Sequence, residues 1–408
     1  MHKIKKFLKS LGPGIITGAA DDDPSGIATY AIAGAQFGYG LLWTALFSFP
    51  LMTAVQEICG RIGLVTKKGL AEVVKEHYPR PLLWLVSLLL LAANIFNIGA
   101  DLAGMAAAIK LFVPINDLVI SLAVAVTIVI LTIKLTYPQI ALVFKWLTVA
   151  LFTYVATFFL TNQSWTEIAK GTFVPMLGNK DYLLLILAIF GTTISPYLFF
   201  WQASEEAEEE KLKRHLVTKN ELKSEGEDTL SGMLFSNLIM YFIIATTAAT
   251  LFRAGITNIS SAAEAASALR PLAGDFAALF FALGIVGTGV LTIPILAGSA
   301  AYALSETLGF KEGLNKPFRK AEGFYIVIAL AVLLGFLLNL IGLNPFKYLF
   351  YSAVLNGLVS PILIAMLLLI ANNKKIMGDF TNRPVSNILT GATLLLMTLA
   401  AVAIFVVH

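Results

Sequence analysis

Three consecutive aspartates, Asp21, Asp22 and Asp23, followed by Pro24, stand inside the first long apolar stretch of the chain. A carboxylate in hydrocarbon is costly, so a membrane segment keeps one only where it faces water, a partner or an ion. The helix-breaking residues around the acids, Gly12, Pro13, Gly14, Gly18, Pro24 and Gly26, let a helix open and turn bare backbone groups toward a cavity. A second segment, Gly191-Thr192-Thr193-Ile194-Ser195-Pro196-Tyr197, has the same breaking character. Acids beside an interrupted helix at mid-membrane have the chemistry of a cation site.

The elements that must position these groups are long apolar helices. Of 408 residues, 58% are hydrophobic and 13% charged, against about 25% charged in a soluble domain. The mean hydropathy is +0.81. The composition predicts an all-α polytopic membrane protein, one transmembrane domain over residues 1–408. Eleven transmembrane helices are expected, over 12–36, 39–62, 82–109, 116–134, 140–161, 181–203, 230–252, 274–305, 321–341, 346–371 and 387–407. With the N-terminus in the cytoplasm, 23 of the 29 basic residues fall on inside segments. That predicts N-terminus in and C-terminus out, in the inner (plasma) membrane of a prokaryote. The two interrupted segments lie five spans apart. Two repeats of five spans, 1–161 and 181–371, must then be inverted, with broken helices 1 and 6 meeting near the midplane and helix 11 outside the pair. Their C-terminal dipole ends and free carbonyls would face a cation.

The same residues resemble a known family. Gly12-Pro13-Gly14, Asp23-Pro24, Ala33-Gly34-Ala35-Gln36-Phe37-Gly38-Tyr39 and Leu42-Trp43 are similar to the first-helix region of the Nramp divalent-metal transporters. Arg61-Ile62-Gly63-Leu64-Val65-Thr66, Leu70-Ala71-Glu72 and Ala100-Asp101-Leu102-Ala103 continue the likeness. The resemblance runs from about residue 10 to the end of span 10 and implies a LeuT-like fold in which helices 1 and 6 hold the metal. Carried across by position, the metal site comprises the Asp23 carboxylate, Ser195, the space at Gly26, and backbone carbonyls near Ala20 and Thr192.

Departures from the family pattern bear on the substrate. Where ordinary members carry a metal-ligating asparagine, this chain has Gly26. Ser195 replaces the methionine before the helix-6 proline, and Tyr197 the histidine after it. Gly104 stands where an acid follows the helix-3 aspartate, Asp101. A thioether is a soft donor suited to transition metals, whereas Mg²⁺ prefers hard oxygens and keeps several waters. The pattern resembles the Nramp-related magnesium transporters and implies Mg²⁺ as the transported cation, with Mn²⁺ also accepted. Histidine and intramembrane acids form proton relays, and two members of the usual relay are missing. The expectation is alternating access without proton coupling, driven by the membrane potential. The alternative is a proton-coupled Mn²⁺ or Fe²⁺ importer of the ordinary Nramp type.

Several residues carry two readings. Asp23 is a metal ligand or a helix cap beside Pro24. One of Asp21 and Asp22 lines the access path while the other caps the break. Ser195 binds metal, directly or through water, or bonds backbone left open by the break. Asp101 and Tyr197 belong to an access or proton path, or Asp101 pairs with Asn94 or Asn97 and Tyr197 packs. Gln56 and Glu57 read as gate or interface groups, and Asn356 as a residue reaching the cavity. The charged segment 204–228 reads as a solvated cytoplasmic helix extension and loop. Gly284, Gly287 and Gly289 favour close helix packing. No cofactor, nucleic-acid partner or obligate protein partner is expected, and the lipid bilayer and the cation are the partners. His2, His77, His215 and His408 lie at or beyond the membrane boundaries, and Cys59 is the one cysteine. An enzyme is not expected, since no nucleophile–base pair or cofactor motif accompanies the spans.

Overall fold

Proline fixes where the first span breaks. Helix α1 covers Pro13–Asp21 and α2 covers Pro24–Phe37. Pro24 sits at the start of α2, where its missing N–H costs nothing. The sixth span breaks the same way: α9 (Lys180–Thr193) ends before Ile194, and Pro196 opens α10 (Pro196–Lys211). The computed structural model describes residues 13–135, 139, 149–176, 178–211 and 217–406. Gly12, Lys3, Lys5, Lys6, Lys9, Lys145, Lys213, Arg214, His2, His215 and His408 lie outside the described residues, as does the first part of the expected fifth span.

The expected spans are found as helices. Span 2 is α3 (Trp43–Thr66), and the short α4 (Leu70–His77) leads into α5 (Arg80–Ile109) and α6 (Asp117–Lys134). The described end of span 5 is α7 (Phe152–Leu160), followed by α8 (Trp165–Phe173). Beyond the sixth span come α11 (Lys219–Thr247), α12 (Ala277–Leu308), α13 (Glu322–Leu338), α14 (Pro345–Ala371) and α15 (Pro384–Val406). Among the described residues there is no strand. Among the described residues eight helical segments are long and apolar enough to cross a membrane, and Pro24–Leu41 with Trp43–Thr66 passes as a pair bent by 106°.

Burial orders these helices. In the apolar window of the sixth span 89% of residues are buried, against 28% for α6 and 17% for α15. The broken spans are therefore central, while α6 and α15 turn leucines and valines outward to lipid. Helix α1 packs on α10, α11 and α12, and α2 packs on α9, α11 and α14. Small residues permit the closest approach. A Cβ on Gly18 would lie 2.2 Å from the Gly232 carbonyl carbon of α11, and one on Gly34 would lie 2.2 Å from the Ile244 carbonyl oxygen. The expected close packing around span 8 is present at Gly289, whose added Cβ would lie 2.4 Å from Met105 Sδ. Gly18→Leu is expected to force α1 off α11 at a cost of about 1–3 kcal/mol. A lower unfolding midpoint in detergent would register it, and an unchanged midpoint would mean that α1 does not need this contact.

The charged segment after span 6 departs from expectation. It is helical on both sides of its turn, but Glu206, Glu210 and Glu225 are buried rather than solvated. Lys67 pairs with Glu210 across 3.6 Å, and Gln202 and Thr229 donate to Glu225. Both helices continue past the apolar core and pack on α3, so these three glutamates are internal structure while Lys223 and Glu227 stay exposed.

Candidate cation site

Asp23 sits in the break between α1 and α2 with extended backbone, φ −69° and ψ 168°. Its Oδ1 accepts from the Gly26 amide at 2.5 Å and from Ser25 Oγ at 2.7 Å, and so caps α2. Its Oδ2 accepts from Asn97 Nδ2 of α5 at 2.9 Å. Both readings of this acid therefore hold geometrically: it is a cap, and it presents a carboxylate at the centre of the bundle.

The carbonyls left by the two breaks are satisfied by hydroxyls. Ala20 O accepts from Tyr197 Oη at 3.0 Å and from Thr292 Oγ1 at 3.2 Å. Thr192 O accepts from Ser195 Oγ at 2.7 Å, and Gly191 O from the same hydroxyl at 3.1 Å. The expected bare carbonyls are thus engaged, since a buried C=O takes whatever donor is within reach. Ser195 follows its second reading, bonding the backbone opened by the break. Tyr197 does more than pack: it ties the sixth span to the first.

The expected space at Gly26 is not found, because the cluster closes over the glycine. A Cβ there would lie 2.9 Å from Thr192 Oγ1, 3.3 Å from Asp23 Oδ1 and 3.4 Å from the Tyr30 ring. Asp23, Gly26 and Thr192 are therefore one cluster built from both broken spans. Ser195 is joined to it through the Thr192 carbonyl, as Tyr197 is through Ala20. Asp23, Ser195, Thr192, Tyr197, Asp101, Asp21 and Asp22 are all at most 1% exposed, so the cluster is closed to solvent on every side.

The remaining acids flank this centre. Asp101 lies one helical turn beyond Asn97 on α5 and is fully buried, and neither of its oxygens accepts a hydrogen bond. Its alternative pairing with Asn94 or Asn97 is not found: Asn97 is given to Asp23, and Asn94 donates to Leu296 O and Ser299 Oγ. Burying an unpartnered carboxyl is a cost that packing does not explain. Asp21 Oδ2 and Asp22 Oδ1 lie 2.6 Å and 3.2 Å from the one hydroxyl of Ser236 on α11. That oxygen carries a single hydrogen, so it cannot donate fully to both acids. Asp21 Oδ1 and Asp22 Oδ2 have no partner. These two acids face α11, and neither caps the break, which Asp23 does alone.

At Gly104 the structure fills the missing acid's place. A Cβ there would meet Leu349 Cδ1 of α14 at 2.8 Å. Among the described residues no three carboxylate, imidazole or thiolate groups converge. What converges is one carboxylate with amide, hydroxyl and carbonyl oxygens, a hard donor set. Gln56 donates to Leu198 O at 2.8 Å, which makes it an interface group, and Glu57 pairs with Arg61 of its own helix at 3.5 Å. Asn356 is buried with its Nδ2 unpartnered. Sequence reasoning set Asn97 beside Asp101 rather than on Asp23, and it missed Thr292 and Ser236. The four-residue spacing of Asn97 and Asp101 on one helix face was a usable signal, while nothing local marks Ser236 or Thr292.

Comparison with known proteins agrees with this architecture. The sequence model of the family described as Nramp, natural resistance-associated macrophage protein-like, matches residues 14–407. A divalent metal cation transporter MntH of Caldanaerobacter subterraneus subsp. tengcongensis is 28% identical over 392 residues, covering 95% of this chain and 90% of the relative. The crystal structure of the Eremococcus coleocola manganese transporter, in complex with an aromatic bis-isothiourea substituted compound, superposes with a TM-score of 0.80 at 19% identity, covering 98% of this chain and 87% of that one. Mhp1 in its inward-facing conformation gives a TM-score of 0.54 at 14% identity, covering 98% of this chain and 89% of that one. At these identities the structural likeness is one of fold: a LeuT-like helical bundle with broken first and sixth spans.

Proposed function

The chain belongs to the Nramp family, and from that premise we propose that it carries a divalent cation across the membrane by alternating access, with Mg²⁺ the main substrate, Mn²⁺ also accepted, and no proton coupled. Membership places it among integral membrane transporters and not among enzymes. The membrane is proposed to be a prokaryotic plasma membrane, with the N-terminus inside and the C-terminus outside. The two inverted repeats are taken as 1–161 and 181–371. No protein partner is required for the activity.

The observation that carries the substrate proposal is the donor set at the break. Asp23 supplies one carboxylate, and the residues around it offer amide, hydroxyl and carbonyl oxygens. Gly26 supplies no amide ligand, and Thr192 Oγ1 stands against it, so an ion that retains water needs that side chain to turn. On this reading, entry of the cation exchanges the Tyr197 and Thr292 hydroxyls on Ala20 O, and the Ser195 hydroxyl on Thr192 O, for metal contacts. Ala20 O gives up two hydrogen bonds and Thr192 O one, and the metal contacts must offset all three. Asp22, with a free oxygen on the face toward α11, would receive the ion next to the central site. Opening that route requires α1 to part from α11, and the Gly14 amide is held there by Asp228 at 2.8 Å.

The absence of coupling rests on Gly104 and Tyr197. Leu349 occupies the place of the second acid, and the Tyr197 hydroxyl is committed to a backbone carbonyl. A divalent ion then moves down its electrochemical gradient, with the potential worth about 2.3 kcal/mol per charge per 100 mV. Asp101→Asn is accordingly expected to leave Mg²⁺ uptake within about threefold of wild type, under about 0.7 kcal/mol, with the internal pH flat in both. Uptake assayed in proteoliposomes checks this, and abolished flux would assign Asp101 an essential role.

One observation favours a second reading. Asp101 is a fully buried acid with both oxygens unpartnered, the feature of a proton carrier. The named relatives are a divalent metal cation transporter and a manganese transporter. That reading is a proton-coupled Mn²⁺ or Fe²⁺ importer, and it requires the inside to acidify as metal enters.

A further inference from the structure

The turn joining α12 to α13 is a second, chemically different place. α12 ends at Leu308, and Gly309, at φ +81°, closes it. The chain then runs along the membrane boundary to Glu322, where α13 begins. A cavity of about 750 Å³ opens here, lined by Lys311, Lys316, Arg319 and Lys320 against a single carboxylate, Glu322. We propose that this cavity binds the phosphate headgroup of an anionic phospholipid.

The turn is built, not loose. The Phe310 ring lies on Gly323, where an added Cβ would come within 2.9 Å of its Cδ2. Tyr325 Oη donates to Lys316 O at 2.8 Å, and Tyr302 Oη accepts from Leu314 N at 3.2 Å. A single helical turn, Phe318–Lys320, is closed by Lys320 N on Pro317 O at 2.8 Å and sets Arg319 and Lys320 on the cavity wall. Phe310 and Phe318 remain 46% and 37% exposed beside the cations. Exposed phenylalanines beside cations are the groups that dip into the headgroup–acyl boundary, where the cations would meet lipid phosphates. Arginine also offers a planar fork matched to phosphate oxygens.

Ion pairing with carboxylates separates this turn from the basic loop after α3, although Lys316 Nζ donates to Glu312 O here. There, Lys67 meets Glu210, Lys68 meets Glu76, Arg61 meets Glu57 and Lys75 donates to Glu306 O. The adjoining cavity, about 440 Å³, mixes five carboxylates with four lysines, Lys311 and Lys316 among them. One of its acids, Glu312, is held well above the usual carboxylate range, first by burial and then by the nearby Glu306. Arg319 and Lys320 line the basic cavity alone. A free phosphate shares the headgroup's chemistry. The position at two span ends, with phenylalanines flanking the cations, favours the lipid.

Native mass spectrometry of the full-length protein with equal phosphatidylglycerol and phosphatidylcholine of matched chains tests this. Wild type is expected to retain the anionic lipid preferentially. An R319Q/K320Q variant should lose roughly tenfold of that preference. A K374Q/K375Q control, changing exposed lysines that line neither cavity, should keep it. Millimolar inorganic phosphate should leave the lipid in place. The proposal is overturned if wild type shows no preference, if R319Q/K320Q retains it, if K374Q/K375Q loses it equally, or if inorganic phosphate displaces the lipid.

Discussion

Asp23→Asn is expected to abolish cation flux while leaving the protein folded. The carboxylate has two roles, and this substitution separates them. Asparagine caps a helix as well as aspartate, so the Gly26 amide and the Ser25 hydroxyl keep their acceptor. Asn97 can turn its amide over, because its Oδ1 has no partner, and so accept from the new side chain. What disappears is the one charge at the junction of the two broken spans. Removing one partner of a buried charged pair costs about 3–5 kcal/mol, which for the bound cation is a loss of at least about 100-fold. Asp23→Ala would add the lost cap, about 1 kcal/mol, and strand both the Gly26 amide and Asn97. Flux and unfolding midpoints measured on the two variants decide the matter. Full transport by Asp23→Asn would remove this residue from the site.

The second large effect is on selectivity. Gly26→Asn with Ser195→Met restores an amide and a thioether at the positions where ordinary family members carry them. It is expected to move preference toward Mn²⁺ and Cd²⁺ by roughly tenfold, about 1.4 kcal/mol. The structure adds two conditions. The new Cβ at residue 26 would stand 2.9 Å from Thr192 Oγ1, so that side chain must turn away. The move is inexpensive because the hydroxyl has no hydrogen-bond partner to lose. Methionine at 195 also gives up the hydroxyl that satisfies Thr192 O and Gly191 O, a loss of about 1 kcal/mol that frees Thr192 O for the metal. Competition uptake with Mg²⁺, Mn²⁺ and Cd²⁺ measures the outcome. An unchanged order of preference would put selectivity outside these two residues.

Much of the architecture was legible because apolar length and proline speak locally. Pro24 and Pro196 marked both breaks, and the hydrophobic runs located the spans to within a few residues. Asp23 stood out because an acid beside a break has few structural uses in a membrane. What could not be read was the partner of each polar group, which depends on helices distant in sequence. Tyr197 reaching Ala20, Thr292 joining it and Ser236 between two acids are contacts of tertiary packing. The carbonyls of the breaks were expected to be bare, since a span in isolation leaves them so, yet neighbouring hydroxyls take them. The buried glutamates after span 6 were misjudged for the same reason: a charge run looks solvated until the helix packed across it is known.

The central claim is hard-cation transport without a proton. Purified protein in proteoliposomes, held at a fixed membrane potential with a pH probe inside, should take up Mg²⁺ with no change of internal pH, and Mn²⁺ likewise. Uptake of Mn²⁺ with acidification of the lumen, and none of Mg²⁺, would contradict the account. It would assign Asp101 the role of proton carrier that the uncoupled reading denies it.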